Sequence, residues 1–172
     1  MREVIAYLGS SLDGFIATSD ESVDWLENTP TIGDGGFQQF YDTVDTVIMG
    51  ATTYRWIKQH MPDYPYSGKE NFVISHTTQP SSARVTFTDD FSTLLSELKT
   101  QPGKNIWIVG GGQLVRQLLE NRLLTQLRIT FAPTILGAGI PLFPNGISTH
   151  QLTLLDTEQF GQLIELRYRV DD

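Results

Sequence analysis

Three consecutive glycines, Gly110, Gly111 and Gly112, follow the apolar run Asn105-Ile106-Trp107-Ile108-Val109 and lead into Gln113-Leu114-Val115-Arg116-Gln117-Leu118-Leu119. The order is strand, tight turn, helix. A glycine turn that opens a helix can seat a phosphate, because no Cβ blocks the approach and the first-turn N–H groups are unpaired and partly positive. Thr46-Val47-Ile48-Met49-Gly50 followed by Ala51-Thr52-Thr53 repeats the pattern, giving a second seat. Such a turn by itself is equally a plain change of direction. Asp34, in Asp34-Gly35-Gly36 before Phe37, Phe40, Tyr41 and Val44 at helical spacing, reads as an N-cap or first-turn acid. His60, His76 and His150 lie far apart without metal-ligand spacing, and there is no cysteine, so neither a metal site nor a thiol nucleophile is expected.

These residues need a scaffold, and 172 residues are most simply one domain spanning 1–172. Hydrophobic residues make up 40% and charged residues 19%, an ordinary globular balance, and no apolar run reaches the roughly 18 residues of a membrane span. Twenty acids against 12 bases give a net charge of −8, which disfavours nucleic acid and anionic lipid as partners. The N-terminus enters a strand-like run directly and lacks the order of a signal peptide, so a cytoplasmic enzyme is expected.

Val4-Ile5-Ala6-Tyr7-Leu8 reads as a buried strand, Gly9 to Gly14 as a bend, and Phe15-Ile16-Ala17 as a resumed strand. Residues 18–36 read as a long surface loop around Val23-Asp24-Trp25-Leu26, with Trp25 either anchoring the loop or covering a site. Strands are expected at 71–75, 84–87 and 127–132, and Thr88-Asp89-Asp90 caps a helix bearing Leu94, Leu95 and Leu98. Residues 133–144 read as loop, and 151–159 with 163–170 as an antiparallel hairpin around Gly161. Alternating strands and helices predict an α/β fold: a mainly parallel sheet with right-handed crossovers, helices on both faces and a terminal antiparallel hairpin. Ligands of such sheets bind beyond the carboxyl ends of the strands, where Ser10, Ser11, Gly50, Ser75, Gly110 and Thr130 converge.

Several stretches together resemble the dihydrofolate reductase superfamily, most closely its branch similar to the reductase domain of riboflavin biosynthesis (RibD C-terminal-like). They are Ser11-Leu12-Asp13-Gly14 with Ile16-Ala17, Val23 to Leu26, Val47 to Gly50 with Thr53-Tyr54, Gly68-Lys69-Glu70, Ile108 to Gly112, and Pro133 through Phe143. The resemblance implies a central sheet of about eight strands, a reduced nicotinamide nucleotide as cofactor, and hydride transfer to a flat nitrogen heterocycle. It places Val109, Gly110, Gly111, Gly112, Gln113 and Leu114 on the cofactor pyrophosphate, and Gly50, Ala51, Thr52 and Thr53 on a second phosphate turn. Ser75 and His76 match positions beside the adenosine, and Gly9 and Ile16 flank the nicotinamide. Ser11, Trp25, Asp34 and Thr130 fall to the substrate. Asp34 is then the candidate catalytic acid, because hydride transfer to C=N needs a proton at nitrogen and a partly desolvated carboxyl can have its pKa raised. Pairing as a homodimer is also implied.

Three departures from the family qualify this. Ala51 and Gln113 stand where arginines often favour NADPH, which implies weaker discrimination for NADPH over NADH unless His76, Arg55 or Arg84 fills the gap. Lys69 stands where folate reductases hold the glutamate tail with arginine, a better bidentate clamp for carboxylate. Gly110 replaces a glutamate typical of the riboflavin enzyme, and no cysteine-rich deaminase domain is present. The favoured reaction is one like 5-amino-6-(5-phosphoribosylamino)uracil reduction, with dihydrofolate or pterin reduction as the alternative. A catalytically silent nucleotide- or flavin-binding module is the reading from another class.

Overall fold

The computed structural model describes residues 1–77 and 79–171. In chain order the elements are β1 (Val4–Ser11), β2 (Phe15–Ala17), α1 (Asp24–Glu27), α2 (Phe37–Tyr41), β3 (Val44–Gly50), α3 (Ala51–His60), β4 (Glu70–Ile74) and β5 (Thr86–Thr88). They continue as α4 (Phe91–Thr100), β6 (Asn105–Gly110), α5 (Gly112–Glu120), β7 (Gln126–Ala132), β8 (Ile140–Pro141), β9 (Leu152–Phe160) and β10 (Leu163–Val170). Eight strands form one sheet in the order β5-β4-β3-β6-β1-β7-β10-β9. Every pair from β5 to β7 is parallel, while β10 runs antiparallel to both β7 and β9. The α/β class, the mostly parallel sheet and the terminal hairpin are therefore as the sequence pattern predicts.

The central strands are apolar on both faces because both faces are covered. Val4, Ala6, Ile48, Ile106 and Ile108 meet Leu95 and Leu98 of α4 and Leu114, Val115 and Leu118 of α5 in one cluster. Ile5, Val47, Met49 and Trp107 meet Phe40 of α2 and Ile57 of α3 in the other. Each fully buried aliphatic side chain contributes roughly 1.5–3 kcal/mol through removal from water. None of the helices is long and apolar enough to cross a membrane among the described residues.

Three local readings need adjustment. β1 does not bend at Gly9 but continues to Ser11, because Gly9, Ser10 and Ser11 stay paired with Thr130, Phe131 and Ala132. The loop at 18–36 contains the single turn α1, packed so closely on β1 that a Cβ on Gly9 would stand 2.3 Å from Leu26 Cδ2. The loop at 133–144 contains β8, which pairs with β2 and brings this loop over the start of α5.

Candidate functional site

β3 and β6 are adjacent and parallel, so their glycine ends lie side by side, and α3 and α5 begin next to each other. At α4 the Asp90 side chain accepts from Thr93 N, which is the usual way an N-terminus is satisfied. α3 and α5 have no side-chain cap. Their first-turn N–H groups are thus left for something other than the protein's own side chains. Gly110 sits at φ +137°, a backbone conformation open to glycine, and a Cβ at Gly111 would meet nothing nearer than Thr53 Oγ1 at 3.9 Å. The geometry is a cradle that an anionic group can enter.

The cradle is one part of a cavity of about 700 Å³, within the usual range for a small-molecule or cofactor site. Gly9, Ile16, Gly50, Ala51, Thr52, Thr53, Ser75, His76, Val109, Gly110, Gly111, Gly112, Gln113 and Leu114 all line it. Residues assigned to the cofactor from scattered segments are thereby brought to one surface. A nicotinamide dinucleotide fits this donor set: two uncapped helix starts for the pyrophosphate and an apolar continuation for a flat ring.

That continuation runs under α1, where Tyr7, Leu26, Trp56, Met61 and Trp107 line the wall. Sequence reasoning missed these residues. Tyr7 had a usable signal, since it lies two residues from Gly9 and so on the same face of β1. Trp56 had none, because its place over the cavity depends on the loop that its indole N–H holds by donating to Glu21 O at 2.9 Å. Among the described residues the ionisable ones that line the cavity are Tyr7, Glu21, Glu27 and His76, and no lysine or arginine does so.

The expected substrate residues lie elsewhere. Asp34 is exposed and outside the cavity, and its carboxylate accepts from Gly36 N at 3.0 Å and Gln38 N at 2.7 Å. The structure thus sets the Asp34 carboxylate against the first turn of α2 and apart from the cavity-lining residues. Ser11, the last residue of β1, is buried, accepting from Phe15 N at 2.9 Å and donating to Asp13 Oδ1 at 2.7 Å. That hydrogen bond, and those from the Leu136 and Gly137 N–H groups, hold the Asp13 carboxyl below the usual carboxylate range. Trp25 is half-buried and donates to Ser22 O within its own loop, so the cover falls to Leu26 and Trp56 instead. Thr130 is buried behind the wall, its hydroxyl 3.5 Å from Tyr7 Oη. Lys69, weighed as a tail clamp, donates to Tyr41 O and Val44 O at 3.0 and 2.7 Å.

Behind Tyr7 lies a buried ionic cluster. Glu165 is fully buried and accepts from Arg128 Nε at 3.1 Å, from Arg128 Nη2 and from Arg167 Nε. The Arg128 guanidinium lies 5.1 Å from the Tyr7 ring centre and 4.8 Å from that of Phe40. Burial pushes the Glu165 carboxyl up, but hydrogen bonds from Arg167, Tyr7 and Arg128 and the Arg128 charge outweigh it and hold it below its usual range. The Tyr7 phenol is pushed up to about 12, chiefly by burial, with the Glu165 carboxylate adding to the rise.

Residues 2–166 match the model of the RibD C-terminal domain family. The uncharacterized protein YwjB of Bacillus subtilis (strain 168) is 40% identical over 171 residues, covering 97% of each chain. A crystal structure from Shewanella sp. PV-4, named for riboflavin biosynthesis, superposes with a TM-score of 0.88 at 27% identity over 99% of both chains. Dihydrofolate reductase from Enterococcus faecalis, complexed with NADP(H), shares the fold with a TM-score of 0.67 at 13% identity, over 99% of this chain and 97% of that one.

Proposed function

This chain belongs to the RibD C-terminal domain family, and from that premise we propose that it is an NAD(P)H-dependent reductase acting on a flat nitrogen heterocycle. One observation carries the reading: all fourteen residues assigned to the cofactor by resemblance line a single cavity built on two uncapped helix starts. In this reading Gly110 to Leu114 and Gly50 to Thr53 hold the pyrophosphate, Ser75 and His76 lie at the adenosine, and Gly9 and Ile16 flank the nicotinamide. A bound reduced nicotinamide would supply hydride to a C=N carbon of the ring, and the nitrogen would take its proton from solvent water. The apolar wall of Leu26, Trp56, Met61 and Trp107 keeps water from the hydride transfer.

The substrate class is an aminopyrimidine or pteridine, as in the uracil reduction favoured from the sequence. With no lysine or arginine in the lining among the described residues, an unphosphorylated heterocycle suits the site better than a phosphoribosyl one. A dihydrofolate role is less well supported, because Asp34 is engaged by N–H groups of its own loop and Lys69 by the Tyr41 and Val44 carbonyls. The same displacement of Asp34 favours a second reading, a nucleotide-binding module without catalysis. Two copies are proposed to pair through Leu152, Leu154 and Ile164, exposed apolar residues that the strand register places on one face of β9 and β10.

Calorimetry with NADPH, NADH and FMN, followed by loss of reduced-nicotinamide absorbance across pyrimidine and pteridine substrates, tests the reading. Binding of NADPH or NADH with turnover of at least one heterocycle is expected. Nucleotide binding without turnover favours the silent module, and no nucleotide binding removes the proposal.

A further inference from the structure

The larger cavity lies at the carboxyl ends of parallel strands, and one more strand end reaches past it. Register sets Gly50 beside Ile74 and Ile74 beside Thr88, and the Ser75 N–H donates to Thr88 O at 2.9 Å. β5 therefore ends two strand spacings, about 10 Å, from the glycine end of β3. There Ser75, His76, Gln79, Thr88 and Asp89 line a second cavity of about 150 Å³. Ser75 and His76 line both cavities, so the two meet at the residues read as the adenosine end.

Asp89 is the only carboxylate in that second lining, and no lysine or arginine joins it among the described residues. It is exposed, and no hydrogen bond or ion pair engages its carboxylate among the described residues. The adjacent Asp90 differs: its carboxylate accepts from Thr93 N at 3.0 Å and from Thr93 Oγ1 at 2.6 Å, and so serves as the cap of α4. The nearby arginines do not offset Asp89. Arg55 Nη2 lies 3.9 Å from Glu21 Oε1, and Arg84 lines neither cavity.

We propose that Asp89 tilts the choice of cofactor toward NADH: its carboxylate accepts from a ribose hydroxyl of NADH and repels the 2′-phosphate of NADPH. The inference rests on the nucleotide reading of the larger cavity and goes beyond it. Missing arginines only remove attraction for that phosphate, whereas Asp89 adds repulsion. A carboxylate serves the same end in other parallel-sheet dinucleotide sites, where it takes the ribose 2′-hydroxyl. Set beside a dianionic phosphate in water, one carboxylate charge changes affinity by about tenfold.

Calorimetry on the whole chain, without substrate, gives the dissociation constants of NADH and NADPH. Asp89→Asn keeps the size of the side chain and removes its charge. The ratio of NADPH affinity to NADH affinity is expected to rise about tenfold, mostly through tighter NADPH. Asp90→Asn removes the same charge one residue away and keeps an oxygen for the cap, so the ratio should move less than about twofold. A merely structural effect of either substitution would weaken both nucleotides together and leave the ratio where it was. A rise below about threefold in Asp89→Asn overturns the inference, as does an equal rise in Asp90→Asn. A natural chain that binds neither nucleotide removes the cofactor reading and this inference together.

Discussion

Gly112 and Leu142 meet through backbone alone: a Cβ on Gly112 would stand 2.8 Å from Leu142 O and equally close to Pro141 O. The third glycine of the turn therefore does a different job from the second. Gly111 leaves room for a ligand, whereas Gly112 lets the segment carrying β8 lie against the first turn of α5.

Gly112→Ala is the prediction from that contact. Two carbonyl oxygens cannot give way as a flexible side chain would, so the segment at 141–142 or the start of α5 must shift. The cost is that of overpacking, about 1–3 kcal/mol, seen as a lower midpoint in urea unfolding. NADPH affinity should fall by more than tenfold, because the uncapped N–H groups move with α5. Gly68→Ala, where an added Cβ would meet nothing within 4 Å, is the control and should leave both measurements unchanged.

The cofactor prediction follows from the lining. Ala51 and Gln113 line the cavity and no lysine or arginine does so among the described residues. The NADPH to NADH ratio of kcat/KM, or of dissociation constants by calorimetry, should lie within about tenfold. Placing a cation at the head of α3 by Ala51→Arg should raise NADPH preference by tenfold to a hundredfold, as one charge-assisted hydrogen bond is worth about 1.5–3 kcal/mol. A strong NADPH preference in the natural chain would contradict this.

Much of this was legible beforehand, for identifiable reasons. Strands such as Val47 to Gly50 are short, apolar and closed by glycine, and helices such as Leu114 to Leu119 keep one apolar face; both patterns are local. The glycine-turn side of the cavity was readable because it is made of those same turns. The wall under α1 and the cluster behind Tyr7 were not. Glu165 and Arg167 occupy the polar positions of an alternating hairpin, which normally face water, and only the sheet order that sets β10 beside β7 turns Glu165 inward. Asp34 shows the opposite case: its register matched a substrate position, whereas in the fold two N–H groups within four residues engage its carboxylate.

Asp34→Asn should accordingly leave kcat/KM and NADPH affinity within about twofold of wild type. Asp34→Ala removes the acceptor for Gly36 N and Gln38 N and should cost about 0.5–2 kcal/mol of stability, as for other helix caps. Activity corrected for folded fraction separates the two effects. A hundredfold fall in kcat for Asp34→Asn, with unchanged thermal stability, would return Asp34 to the chemistry.

Glu165 makes a prediction about acid. Its carboxyl is held below its usual range in the folded chain by Arg167, Tyr7 and Arg128 against the pull of burial. A depressed folded-state pKa means that the unfolded chain binds the proton first, so the stabilisation is complete above the unfolded value of about 4.3 and is lost as pH falls through the lower folded value. Glu165→Gln mimics the protonated form at every pH. At pH 7 it should be less stable than wild type by on the order of 3 kcal/mol, since it leaves Arg128 and Arg167 without their shared carboxylate. As pH is lowered below about 4.3 the wild-type curve should descend toward that of the variant, and the gap measured by urea unfolding should narrow. A gap that stays constant across that interval would mean that the Glu165 charge adds nothing to folding.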